Sequence, residues 1–340
     1  MNKKTMGLKA AMANPLSQIA IFVVIMVIIQ LLSIAGLVPN SFVFALGNTM
    51  IYAVIAIGFC LLLGYSGLAS LGTAGFVGIG AYVAFYVMQQ FGLPYIVALI
   101  GTLAVSIVIG VVVGFISLRI EGIYLAILTL GLSEILRNLL MVIKSTIKID
   151  LDHVRLFGIQ ISDRGVYILI LITFAVLFIL TANLIRSPTG RAMLAMKNST
   201  SAAQAMGISL MKYRLLAFVI STVFAAIGGL LYMMFVRSMT TATSTMLTLT
   251  TSLNILGAVI IGGSKSLWGT TFGVFIIYGI QSMFLSKIDF FQENPAFITM
   301  ITGALIIVVV MFFPGGFAQI ARQAVAWIKK KRSETRKEGA

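Results

Sequence analysis

SQIAIFVVIMVIIQLLSIAGLVPNSFVFALGNTMIYAVIAIGFCLLLGYSG, residues 17–67, holds no charged side chain. It lies within a longer stretch, positions 10–118 between Lys9 and Arg119, that runs for 109 residues without a formal charge. An α-helix rises about 1.5 Å per residue, so about 20 apolar residues cross a hydrocarbon layer of roughly 30 Å. The stretch therefore has to fold back on itself several times, and uncharged breakers mark where. These are Val38-Pro39-Asn40-Ser41, Gly64-Tyr65-Ser66-Gly67 and the segment from Gln89 to Pro94. They predict spans at about 17–38, 41–63, 67–88 and 94–118.

Further along, apolar runs at about 122–143, 166–185, 215–236, 251–263, 267–286 and 296–314 add six more segments. The run at 251–263 is short and ends at Gly262-Gly263, the pattern of a half-helix or re-entrant element. The expected fold class is an all-α polytopic membrane protein of eight to ten spans, about ten by this count. A membrane domain over 17–320 would be flanked by a basic segment at 1–16 and a basic tail at 321–340. The first run exceeds a signal-peptide core and no small-residue cleavage site follows it, so it is expected to be retained as a helix.

Composition agrees. Hydrophobic residues make up 60% of the 340 and charged residues only 10%, against roughly 25% in soluble proteins. One cysteine, Cys60, and one histidine, His153, exclude a disulfide framework and a His/Cys metal centre. No catalytic residue and no metal ligand set is expected, which counts against a membrane-embedded enzyme.

Orientation follows from charge. With the N-terminus in the cytoplasm and ten spans, both termini are cytoplasmic and 17 Lys or Arg fall inside. Six fall outside, Lys144, Lys148, Arg155, Arg164, Arg237 and Lys287, nearly matched by Asp150, Asp152, Asp163, Asp289 and Glu293. This is the positive-inside bias. The net charge of +15 is thus mostly topology and does not point to nucleic acid.

The longest internal loop, residues 186–214, reads RSPTGRAMLAMKNSTSAAQAMGISLMKYR. Ser187 with Pro188 is a helix start, and a helix is expected from Pro188 to Lys197. Ser201 and Gln204 have capping-box spacing for a second short helix that Gly207 would stop. Two short basic helices make a surface for a protein partner, or a hairpin lying on anionic lipid.

Small residues recur every four positions at Ser66, Ser70, Ala74 and Gly78, at Thr102, Ser106, Gly110 and Gly114, and at Ser221, Ala225 and Gly229. Such stripes allow close helix packing in lipid. The segment GYSGLASLGTAGFVGIGAY, residues 64–82, holds six glycines and exposes backbone that membranes tolerate only against protein or a water-filled path. Ser70, Gly72, Thr73, Gly75 and Gly78 are therefore candidates to line a translocation path, with packing alone as the competing reading. A second glycine-rich element, residues 256–275, adds Gly262 and Gly263, and two such elements in comparable halves suggest an internally repeated transporter. Gly257 and Gly262 have the spacing of a phosphate-binding loop, but Gly263-Ser264 follows where the motif needs its Lys, so no ATP site is expected. Glu134 and Arg137, at i and i+3 in the fifth span, can pair with each other, either lining the path or as a structural pair near the outer interface. Asp150, Asp152 and His153 read as a solvated outer face or a docking surface.

The loop sequence GRAMLAMKNSTSAAQAMGISLMKYRLLAFVIS resembles the cytoplasmic coupling loop of ABC-importer permeases. Their Glu-Ala-Ala and Gly signature is matched here by Ala202, Ala203, Gln204 and Gly207, with Arg191 and Ser201 in the same loop. More narrowly, residues 45–320 resemble the branched-chain amino acid (Leu/Ile/Val-type) importer permeases, M-type subunit. The resemblance rests also on GYSGLASLGTAGFVGIGAY, RIEGIYLAILTLGLSEILR, IGGSKSLWGTTFG and FFPGGF. It implies a plasma-membrane permease of a prokaryote, one half of a heterodimeric core in membrane lipid. Two ATP-binding subunits would hold ATP and Mg, since this chain holds no cofactor, and an extracytoplasmic solute-binding protein would sit above. Members commonly have His where this chain has Thr73, and a Thr-Gly-Gly-rich stretch where this chain reads IKSTIKIDLDHVRLFG. These departures leave the cargo open between branched-chain amino acids and amides, urea, nucleosides or sugars. An ion-coupled carrier using Glu134 is the reading from another class, and a single carboxylate paired with Arg137 equips it thinly.

Overall fold

The computed structural model describes residues 15–120, 122–150, 154–156, 159–283, 295–312, 315–317 and 319. The basic segments at both termini, Asp152, His153, Lys287, Asp289, Glu293 and part of FFPGGF lie outside the described residues.

The described residues are helical almost throughout. α1 (Pro15–Ile34) and α2 (Asn40–Cys60) are separated at Pro39, whose extended backbone sits at the N-cap of α2. α2 runs on into a π-helical turn, Leu61–Ser66. α3 (Thr73–Ala84) likewise ends in a π turn, Phe85–Gln90, before Pro94 starts α4 (Tyr95–Ser117). Then come α5 (Ile123–Ile143), the strands β1 (Thr146–Lys148), β2 (Arg155–Leu156) and β3 (Ile159–Gln160), and α6 (Asp163–Arg186). The loop helices α7 (Pro188–Asn198) and α8 (Thr200–Ala205) lead to α9 (Leu210–Val236) and β4 (Ser238–Thr240). α10 (Leu249–Gly262), α11 (Leu267–Val274) with its π turn Phe275–Gly279, α12 (Ile280–Met283) and α13 (Pro295–Phe312) complete the described elements.

A helical segment stands at each predicted span, and among the described residues six are long and apolar enough to cross a membrane by themselves: α1, α2 with its π turn, α4, α5, α6 and α9. α10, at 14 residues, is about 21 Å long and falls short of the roughly 30 Å layer. It turns back at Gly263 (φ 100) into α11, so the expectation of a short element ended by glycine is met. The third predicted span needs correction. It begins at Thr73 rather than 67, because Gly67 (φ 76) takes a left-handed turn and residues 67–72 are not helical. Ser66 and Ser70 therefore do not share a helix face with Ala74 and Gly78. Four short strands, absent from the all-α expectation, pair antiparallel as β1 with β4 and β2 with β3.

Burial ranks the helices. The 40–66 span is 89% buried and α9 72%, whereas α1 and α5 are each 17% buried. α9 is the hub, packed on α2, α3 and α4. Its backbone meets that of α3 directly: a Cβ on Gly229 would lie 1.9 Å from the Val77 carbonyl oxygen, and one on Gly80 1.8 Å from that of Ala226. Gly110 and Gly114 seat α4 against Thr222, Leu215 and Phe218 of α9. The stripes at 102–114 and 221–229 are thus close-packing faces, as their spacing predicts. At the end of the bundle away from the 186–214 loop, the Tyr82 hydroxyl meets the Lys144 carbonyl and the Thr241 hydroxyl, and Arg237 pairs with Asp163.

Candidate functional site

Residues 67–72 interrupt the core at the end of the most buried of the six long spans. The Ser66 hydroxyl donates back to the Leu62 carbonyl at 2.6 Å, and Leu68 N donates to the same carbonyl at 3.2 Å, which closes the π turn. A helix then restarts at Thr73, and its first amides need acceptors in a place with no bulk water. Three neighbouring hydroxyls supply them. Thr129 Oγ1 accepts from Leu71 N at 3.0 Å, Ser133 Oγ from Gly75 N at 2.8 Å, and Ser252 Oγ from Ala74 N at 3.1 Å. Ser70 Oγ takes Gly72 N at 3.3 Å. The break is therefore held from α5 and α10 by side chains that are themselves buried.

Of the predicted path residues, Ser70, Gly72, Thr73, Gly75 and Gly78 gather along this restart. Gly72 meets Thr129, Gly75 meets Ser133, and Gly78 meets Leu140, all on α5. Ser70 and Thr73 face Ser221 and Thr222 of α9 across a cavity of about 10 Å³, with Phe76 and Phe218 in its wall. That is at the lower limit for one water, so in this conformation the region is closed. Gly262 and Gly263 lie elsewhere, at the α10–α11 turn. A Cβ on Gly262 would be 2.0 Å from the Gly269 carbonyl oxygen, which makes this a packing contact between the arms of a hairpin.

Glu134 and Arg137 stand midway along α5, Glu134 exposed and Arg137 half-buried. Glu134 Oε1 accepts from Arg137 Nη2 at 2.7 Å, with the two side chains 50% and 26% exposed respectively. Asn138 Nδ2 donates to the Glu134 carbonyl at 2.9 Å. Gly131, also exposed, has nothing within 4 Å of its Cβ position. Glu134 thus turns away from the glycine cluster, while Arg137, one turn beyond Ser133, lies on its flank.

The loop surface forms as expected, with one shift. Ser187 caps α7, its hydroxyl accepting from Gly190 N at 3.4 Å with Pro188 next in line. α8 is capped by Ser199, which accepts from Ala202 N at 3.3 Å; Ser201, the expected cap, lies inside the helix. Any of Ser199, Thr200 and Ser201 is a suitable residue, and extended backbone at Ser199 (φ −157) selects the first. Gly207 (φ 79) stops α8 as predicted. Met193 and Met196 root α7 in the core. Ala203 is buried, while Ala202, Gln204, Gly207 and Met206 face out, and Met206 is 83% exposed. Arg191 is exposed too and donates to the Arg186 carbonyl. Sequence reasoning passed over Met206 and Lys197. An apolar side chain between Ala205 and Gly207, in an otherwise basic loop, is the signal for the first.

Fold and site define a membrane-embedded α-helical protein whose core is interrupted beside a capped, two-helix polar loop. The model of the family described as branched-chain amino acid transport system / permease component matches residues 41–310, and the chain belongs to that family. It is 29% identical over 304 residues to the high-affinity branched-chain amino acid transport system permease protein LivM of Salmonella typhimurium, covering 81% of this chain and 69% of that protein. The LivM of Escherichia coli matches with the same identity and coverage. The probable ABC transporter permease protein YphD of Escherichia coli is 27% identical over 194 residues, 54% of this chain and 55% of its own length. No solved structure matches the chain significantly.

Proposed function

We propose that the chain is one of two membrane-spanning subunits of an ATP-driven importer for branched-chain amino acids, set in the inner membrane of a prokaryote. In this reading it crosses eight to ten times with both termini in the cytoplasm, and α10 and α11 make a hairpin. Two ATP-binding subunits, holding ATP and Mg, dock on the loop at 186–214, and an extracytoplasmic solute-binding protein docks on the outer side. The supporting observation is the loop itself: two helices capped by Ser187 and Ser199, with Met193 and Met196 rooted in the core and Ala202, Met206 and Gly207 turned outward. A carrier driven by an ion gradient has no use for such a surface. The interrupted segment at 67–72, whose amides rest on hydroxyls from α5 and α10, is the element whose opening would admit solute.

The test is uptake of labelled leucine into vesicles carrying the full complex. Uptake should require ATP, persist when the proton gradient is collapsed, and be competed by isoleucine and valine. Uptake that survives without ATP and disappears with the proton gradient would make the chain an ion-coupled carrier. ATP-driven uptake competed only by amides, urea, nucleosides or sugars would keep the machinery and change the cargo.

A further inference from the structure

We infer that Lys197 is a positioning residue that carries movement of the loop helices into the interrupted segment of the core. It stands at the end of α7, and its ammonium donates to the Leu63 carbonyl at 3.0 Å and to the Gly64 carbonyl at 2.9 Å. Those are carbonyls of the π turn Leu61–Ser66, where α2 runs out and helical partners are lacking. A cation at this end also meets the negative pole of the helix. The side-chain stem lies along Gly67, whose Cβ position is 3.2 Å from Lys197 Cγ. Lys197 therefore grips the chain immediately before residues 67–72.

The same turn is tied to the α10–α11 hairpin. Cys60 Sγ donates to the Ser264 carbonyl at 3.2 Å, the Tyr65 hydroxyl donates to the Lys265 carbonyl at 3.0 Å, and Gly64 packs on Ser264 O with no room for a Cβ. One lysine thus joins the loop to the two interrupted elements of the core. Burial first, and then the neighbouring Lys265, push its pKa below the usual lysine value, so charge is held here against a penalty that the two carbonyls offset. Met193 and Met196, fully buried on α7, make that helix a rigid lever rather than a loose tether.

This role rests on the coupling-loop reading above, and the experiment separates the two. In the reconstituted complex, solute uptake and ATP hydrolysis are measured for wild type, Lys197→Met and Lys197→Arg. Lys197→Met is expected to keep its ATP-binding subunits and its hydrolysis while uptake per ATP falls roughly tenfold, within the usual range of coupling between sites. Lys197→Arg, which keeps the charge and the donors, is expected to restore most of that ratio. If Lys197→Met does not accumulate, Lys197→Gln takes its place with the same expectation. An unchanged ratio overturns the inference, and so does loss of the ATP-binding subunits from the purified variant, which would make Lys197 a docking residue. A wild-type complex whose uptake needs no ATP would instead sink the importer reading, and the role of Lys197 with it.

Discussion

Gly75 N donates to Ser133 Oγ at 2.8 Å, from the first turn of α3 to the middle of α5. It adds to the 3.1 Å bond that the same amide makes to the Gly72 carbonyl, in a buried place where water cannot replace it. A hydrogen bond of this kind contributes about 0.5–1.5 kcal/mol net, and Ser252 Oγ accepts the equivalent bond from Ala74 N at 3.1 Å. Ser133→Ala should therefore lower the thermal stability of the purified protein, and Ser133→Ala with Ser252→Ala should lower it further, since the two hydroxyls serve adjacent amides. Melting in detergent checks this, and a double variant as stable as wild type would show that the break is held by something else.

The α3–α9 crossing makes a sharper demand. Gly229 lies where a Cβ would meet the Val77 carbonyl at 1.9 Å, and a backbone oxygen cannot swing aside as a side chain can. Gly229→Ala should push the two most central helices apart and leave little folded protein in the membrane. Gly303→Ala, at a helical glycine with nothing within 4 Å, should accumulate normally. Expression and monodispersity by size-exclusion chromatography distinguish them.

These elements also show what was legible from sequence. The membrane class, the position of each helical segment and the caps at Ser187 and Gly207 follow from charge, apolar run length and residue type, all local properties. The start of α3 does not. Gly67 and Gly72 announce flexibility, but whether the chain between them is helical depends on Thr129, Ser133 and Ser252, which are 58 and 178 residues away from the amides they serve. The strands β1 and β4 escaped for the same reason, since Thr146 finds its partner at Thr240. Among the candidate site residues, spacing along α5 does not say which neighbour lies on which side: Ser133 meets Gly75, while Glu134, one residue on, is exposed.

The exposed pair on α5 leads to a test of its own. Arg137→Leu leaves the Glu134 carboxylate in mid-span without its cation, and the single change should reduce both insertion and uptake. Glu134→Gln together with Arg137→Gln removes both charges and keeps a hydrogen-bonding pair, so it should recover much of the loss, as expected when breaking a pair costs more than replacing it. A proton-carrying carboxylate would behave otherwise, with uptake abolished by Glu134→Gln and not recovered in the double variant. Quantitative membrane blotting beside uptake decides between the two.

Burial on the loop decides which substitution isolates docking. Ala203 is 4% exposed and lies in α8, against the core side of the loop, so a bulky charge there would unseat the helix as well as block a partner. Met206 is 83% exposed, so its side chain adds little to the packing of the loop. Large apolar side chains turned to water in a basic loop are candidates for burial by a partner. Met206→Glu should therefore leave the amount and melting temperature of the chain unchanged while the ATP-binding subunits no longer co-purify and uptake is lost. Ala203→Glu should lower stability as well. If Met206→Glu binds its partners and transports at the wild-type rate, the outward face of α8 is not where they dock.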